Sequence, residues 1–168
     1  NPNQLACALK KIKSRRMKLT IAGNNAGFVS LFEGVDGVNF LGAIDHFEAL
    51  KLQQQADILV NIGNSQSDQL PGKVFEYLVS DKPIFHIRGC SQDPTESYLK
   101  DHSCAFIADN NEFSIFMALE RILATHARGA LQTSAESSQM LVGKHGWPAR
   151  ASVLNQVLAD AVSCSRFV

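Results

Sequence analysis

The feature that most constrains this chain is its alternation of short, almost wholly apolar runs with stretches of helical length. Met17-Lys18-Leu19-Thr20-Ile21-Ala22-Gly23 and Val38-Asn39-Phe40-Leu41-Gly42 each read as a strand closed by a glycine turn. Asp57-Ile58-Leu59-Val60-Asn61-Ile62-Gly63, Pro83-Ile84-Phe85-His86-Ile87 and a weaker Cys104-Ala105-Phe106-Ile107-Ala108 continue the series. Helical candidates lie between them at about 26–33, 46–56, 73–80 and 94–102. Strands of nearly continuous apolar character belong to parallel sheets buried on both faces. The β-α-β-α order then implies right-handed crossovers and helices on both sides. The expected fold class is α/β, an open parallel sheet with helices on both faces.

Asp45 is placed to cap the helix from His46, with Glu48 completing a D-x-x-E capping box. Two more helices are expected near the end. One over 112–126 carries Phe113, Phe116, Leu119 and Leu123 as its core stripe, and one over 148–162 carries Val153, Leu154, Val157, Leu158 and Ala161. Trp147 is expected to anchor the last of these, and 128–146 to hold a helix with a mobile approach. No repeat, low-complexity tract or linker interrupts the 168 residues, which predicts one domain over 1–168 with a C-terminal helix at about 147–168.

Sixteen Lys+Arg balance sixteen Asp+Glu, which excludes the basic excess of a general nucleic-acid binder. No apolar run approaches the roughly 18 residues of a membrane-spanning helix. Asn1-Pro2-Asn3-Gln4 has no charged lead into an apolar stretch, so no signal peptide is expected. The expected location is cytoplasmic, or peripheral to a membrane. Cys7, Cys90, Cys104 and Cys164 show no metal-ligand spacing and read as structural thiols of a reducing compartment. The five histidines are scattered without a Cys, His or carboxylate at ligand spacing, so neither a metal nor a cofactor is expected.

Ligands of open α/β sheets sit beyond the carboxyl ends of the strands. Three connections occupy that position: Gly23-Asn24-Asn25-Ala26-Gly27, Leu41-Gly42-Ala43-Ile44-Asp45, and the polar run from Gly63 to Gly72. The first contains no G-x-G-x-x-G or Walker sequence. The third, about ten residues long, exceeds the roughly two to six of ordinary βα connections. It leads into Leu70-Pro71-Gly72-Lys73-Val74-Phe75-Glu76-Tyr77-Leu78, where Pro71 and Gly72 suit a first helical turn. Amides and the helix dipole there favour a phosphate. Glu76 could accept two hydrogen bonds from a vicinal diol while Lys73 or the backbone meets a diphosphate; equally, Glu76 could satisfy the dipole and Lys73 be solvated.

With Phe40-Leu41-Gly42, Ala56-Asp57-Ile58-Leu59-Val60, Leu70 to Leu78 and Asp81-Lys82-Pro83-Ile84 in this order, the stretch 38–87 resembles the nucleotide-sugar-binding, carboxy-terminal half of GT-B glycosyltransferases. The likeness is to the large retaining group that includes bacterial sugar transferases of cell-envelope and polysaccharide synthesis. Looser likeness extends from Pro2 to Trp147. The resemblance implies a Rossmann-like half of a GT-B fold. In that family two carboxylates spaced E-x7-E bracket the loop, the second holding the ribose hydroxyls and the first lying near the donor sugar. Glu76 matches the second, and Asp68 stands at the first with a shorter side chain, so Gln69 could serve instead. The Gly72, Lys73 and Val74 amides would face the diphosphate, with Leu70 and Pro71 beside them. The loop from Leu41 through Gly42 to Ile44 would lie against the base, and Gly23 and Asn24 near the phosphates or sugar.

The implied reaction is sugar transfer from a nucleoside-diphosphate sugar to an unknown sugar, lipid or protein acceptor, with Asp68 and Lys73 as the catalytic candidates. Departure of a diphosphate asks mainly for positioning and charge stabilisation. The resemblance also implies a partner domain, the amino-terminal acceptor half, and a first strand with its basic pair; neither is expected within 1–168. Loss of a central strand predicts exposed apolar sheet edges. The alternative is a non-catalytic module of the same shape that binds a nucleotide or a protein.

Overall fold

The computed structural model describes residues 2–12, 17–24 and 27–134, together with Gly143 and Ser152. The expected helix at 148–162, Trp147, Cys164 and most of 128–146 lie outside the described residues. The described chain runs α1 (Asn3–Lys11), β1 (Leu19–Ala22), a 3-10 turn (Val29–Phe32), β2 (Val38–Gly42), α2 (His46–Gln55) and β3 (Leu59–Ile62). It continues with α3 (Lys73–Leu78), β4 (Ile84–Ile87), α4 (Thr95–Leu99), β5 (Ala105–Ala108) and α5 (Glu112–Ala127). Every strand pairing is parallel, so the class is α/β as expected.

The sheet is not continuous. β1 pairs β2 in one small sheet, and β3, β4 and β5 form a second in that order. In the second, successive side chains of the central strand alternate between two helical layers. Phe85 and Ile87 join Leu5, Ala8 and Leu9 of α1 and Ile115, Leu119 and Ile122 of α5. Ile84 packs with Val74 and Leu78 of α3 and Leu99 of α4. All four β4 residues are buried, the condition that requires an apolar strand throughout. The expectation of two covered faces therefore holds for the central strand β4, whereas Ile107 on β5 stays 38% exposed.

It fails for β1-β2. Leu19, Ile21, Val38 and Phe40 reach the larger core, but Thr20, Ala22, Asn39 and Leu41 on the other face are exposed. α2 follows β2 and buries none of its residues, leaving that face open. The sequence of β1 already alternates Leu-Thr-Ile-Ala, the period-2 pattern of a half-buried strand.

The helices show two further departures. α1 was not expected; Pro2 opens it, Leu5, Ala6, Ala8 and Leu9 bury one side, and Lys10 and Lys11 sit at its negative end. Lys11 pairs with Glu112 at the start of α5, clasping the two helices that share the core. α5 begins at Glu112 as expected, with Asn111 Oδ1 accepting from the Ser114 N–H at 2.8 Å, and of the expected stripe Leu119 is buried and Phe116 packs against the core, but Phe113 does not. Ile115, Leu119 and Ile122 are buried, whereas Phe113 is 74% exposed. The inward face is thus shifted from the expected stripe toward Ile115 and Ile122, with Leu119 common to both. The 26–33 candidate shortens to the 3-10 turn, which buries Phe32 edge-on to Phe40, with ring centroids 5.7 Å apart.

This register makes a direct prediction. Ile115→Ala should lower unfolding free energy by about 2–5 kcal/mol, whereas Phe113→Ala should change it by less than about 0.5 kcal/mol. Urea denaturation of the two variants measures both.

Candidate functional site

The carboxyl ends of β3, β4 and β5 carry a polar rim built from three connections. After β4, Arg88 donates to both carboxylate oxygens of Glu96 on α4 and, through Nη1 at 2.7 Å, to Asp109 after β5. These two carboxylates raise the guanidinium pKa above its ordinary value, and Arg88 in turn holds the Glu96 carboxyl below its own. Asp93 Oδ2 accepts from the Gly89 N–H at 2.8 Å, and Oδ1 accepts from the Thr95 N–H at 2.9 Å. Burial pulls the Asp93 pKa upward, but the Gly89 and Thr95 bonds outweigh it and leave the carboxyl below its usual range.

The long connection after β3 rests on this rim. The Gly63 N–H donates to Ile87 O at 2.8 Å. A Cβ on Gly63 would overlap Asp93 Oδ2 and stand 2.6 Å from Gly89 N, and one on Gly89 would overlap Asn64 O. Only two bare backbones can cross so closely, which fixes both glycines by contact rather than by turn geometry. Farther along, Asn64 Nδ2 donates to Gln69 O at 3.1 Å, closing the loop on itself. Asp68 and Gln69 are exposed, Leu70 and Pro71 half-buried.

The predicted residues around α3 sit on one turn. Val74 is 2% exposed and anchors it in the smaller core, while Lys73 is exposed and Glu76 half-buried. Gln53 of α2 donates to Glu76 Oε2 at 3.4 Å, so the carboxylate lies between two helices rather than in the interior. One expectation needs correction. α3 has six residues, too short for the full dipole of a long helix. The Val74 N–H donates to Pro71 O at 3.1 Å and the Phe75 N–H to Gly72 O at 3.4 Å, so the Val74 amide is not available to a diphosphate.

The remaining candidates group elsewhere. Gly23 and Gly42, both at positive φ, are joined by a 2.6 Å bond from the Gly23 N–H to Gly42 O, so the ends of β1 and β2 form one corner. Asn24 there is exposed. Ile44 is half-buried just before Asp45, whose Oδ1 accepts from the Glu48 N–H at 2.8 Å as expected. That corner belongs to the two-stranded sheet, and Asp68 to Glu76 to the three-stranded one. Cys104 is half-buried, and burial pushes its thiol pKa up, consistent with an unreactive packing role.

The sequence reading missed His86. It is wholly buried, with Nδ1 2.8 Å from Asn61 Nδ2 and Nε2 3.2 Å from Asp93 Oδ2. Its signal was a lone imidazole inside the apolar Ile84-Phe85-His86-Ile87. No protein-family model matches the chain, and no curated protein matches it. The crossing at Gly63 predicts that Gly63→Ala will destabilise by about 1–3 kcal/mol, against near neutrality for Gly72→Ala, whose Cβ would meet no atom within 4 Å. Thermal unfolding of both variants measures the contrast.

Proposed function

We propose that this chain is the donor-binding half of a cytoplasmic glycosyltransferase, moving a sugar from a nucleoside-diphosphate sugar to an acceptor. The observation that carries the reading is the arrangement of the 63–76 segment. Lys73 and Glu76 lie within one turn of α3, at the end of an exposed polar loop beyond the carboxyl ends of a parallel sheet. Gly72 adds to it. Its φ of −57° is helical and its surroundings are open, so the fold would accept a side chain there, and the bare backbone leaves room for a ligand to approach closely.

In this reading Glu76, steadied by Gln53, accepts hydrogen bonds from the ribose diol. Lys73 supplies the cation for the diphosphate, and Asp68 reaches the donor sugar. The bond from the anomeric carbon to the diphosphate oxygen breaks, the diphosphate leaves with the electron pair, and an acceptor hydroxyl oxygen forms the new bond as its proton passes to the departing diphosphate. A cation beside the leaving group stabilises charge that grows in the transition state, which is how positioning becomes rate. With the Val74 amide already engaged, more of that stabilisation falls to Lys73.

Glu76→Ala should weaken UDP or GDP binding by roughly 10- to 100-fold, the worth of hydrogen bonds to a charged group. Isothermal titration of the intact protein reads this directly, and unchanged affinity for both nucleotides overturns the ribose role. Asp68→Ala should lower transfer from a labelled donor while leaving nucleotide affinity within about threefold. Gly72→Ala should fold normally and bind more weakly.

A further inference from the structure

Asp93 and His86 stand behind the 63–72 loop without touching its exposed part. His86 lies on β4 opposite Asn61 of β3 in the parallel register. Its Nε2 faces the Asp93 carboxylate at 3.2 Å, out of line for a hydrogen bond. The Asn61 Nδ2 amide, which can only donate, stands 2.8 Å from Nδ1, so in this arrangement Nδ1 accepts and the neutral ring carries its proton on Nε2. Asp93, held against that ring, receives the Gly89 N–H, and the Gly89 backbone is the surface on which Gly63 and Asn64 lie. The imidazole, the carboxylate, the Gly89–Asp93 connection and the start of the 63–72 loop form one contiguous stack.

We infer that His86 and Asp93 are positioning residues for the 63–72 loop, and that proton uptake by His86 releases it. A proton on Nδ1 would confront the Asn61 N–H donor and place a cation in a site with no exposure to water. Asp93 and Glu96 favour that cation and Arg88 opposes it; burial outweighs them and holds the imidazole below its ordinary 6.5. A group easier to protonate when exposed than when buried shifts the population toward the exposed state as pH falls. The hold is thus complete above about pH 6.5 and weakens as pH drops through the lower, folded-state value. Exposing His86 requires lifting the Gly89–Asp93 connection, and with it the floor under Gly63 and Asn64.

The test is hydrogen exchange of the 63–72 amides in the intact protein at pH 7.5 and 5.5, corrected for intrinsic chemical rates. The expected result is protection that falls several-fold at pH 5.5 in the wild type and stays constant in His86→Gln, which keeps a polar amide at this place but does not titrate. His86→Leu should lose protection at both pH values. His102, buried before β5 and also depressed by burial, serves as the control, since His102→Gln should keep the wild-type pH dependence. Equal pH dependence in wild type and His86→Gln, or none in the wild type, overturns the inference. Should His86→Gln not fold, the amide shifts of 63–72 must titrate with the midpoint of the His86 ring; a different midpoint overturns it. The consequence for donor binding rests on the function proposed above: UDP or GDP affinity should fall with pH in the wild type and not in His86→Gln. Intact loop coupling with no nucleotide binding at either pH would uphold the positioning role and overturn the donor reading alone.

Discussion

Burial of β4 on both faces is the constraint from which the organised half of the molecule follows. A strand covered by α1 and α5 on one side and by α3 and α4 on the other has no route to water for a polar side chain. His86 is such a side chain, 0% exposed, and it needs partners from within the fold. Asn61 comes from the neighbouring strand and Asp93 from the following turn. Asp93 then has oxygen capacity left over, which takes up the Gly89 and Thr95 amides and so starts α4. Arg88, one residue beyond the strand, repeats the logic at the surface by joining Glu96 and Asp109. A single buried imidazole and a single rim guanidinium thereby fix the relative positions of the connections after β3, β4 and β5.

The two-stranded sheet has no such constraint. β1 and β2 send one face into the shared core and leave the other exposed, and α2 contributes no buried residue. Strands that bury one face gain about half the apolar contact of those that bury two. Local opening is expected to begin there rather than at β4, because opening free energy follows buried contact. The Gly23–Gly42 corner therefore sits on the less heavily packed support, and Asp68 to Glu76 on the better packed one. The same division appears in the helices, since α3 anchors through Val74 and Leu78 while α2 meets α3 through the Gln53–Glu76 bond.

Local pattern was readable in this chain and pairing was not. β2 occupies 38–42 as expected, and β4 and β5 fall inside their apolar runs, because period and composition act over neighbouring residues. The cap at Asp45, read from the sequence, acts within three positions and is equally local. α1 escaped notice because alanine supplies half of its buried face, and alanine is a weak hydrophobic signal. In α5 the arriving partners, α1 and β5, bring Ile115 inward and leave Phe113 in water, which the spacing of its apolar residues alone does not decide. The break between β1-β2 and β3-β4-β5 is a matter of which edges meet, which no window of residues encodes. His86 was visible as an oddity, yet its meaning depends on Asn61, 25 positions away.

The candidate loop shows how the well-packed half could serve a mobile ligand. Its first end is fixed where Gly63 crosses Gly89, and its last where Val74 is buried. Between these anchors residues 65–69 are exposed. Charges on such a span interact weakly while water surrounds them, because screening leaves exposed pairs at about 0–1 kcal/mol. Asp68 and Lys73 can therefore contribute strongly only once a bound molecule displaces that water. The anchors determine how far the span can travel and which way it faces, so the precision of any contact it makes is set behind it, at Gly63, Asp93 and His86. A substitution that leaves every exposed residue intact but shifts this support should disturb ligand geometry as much as removal of a contacting side chain does.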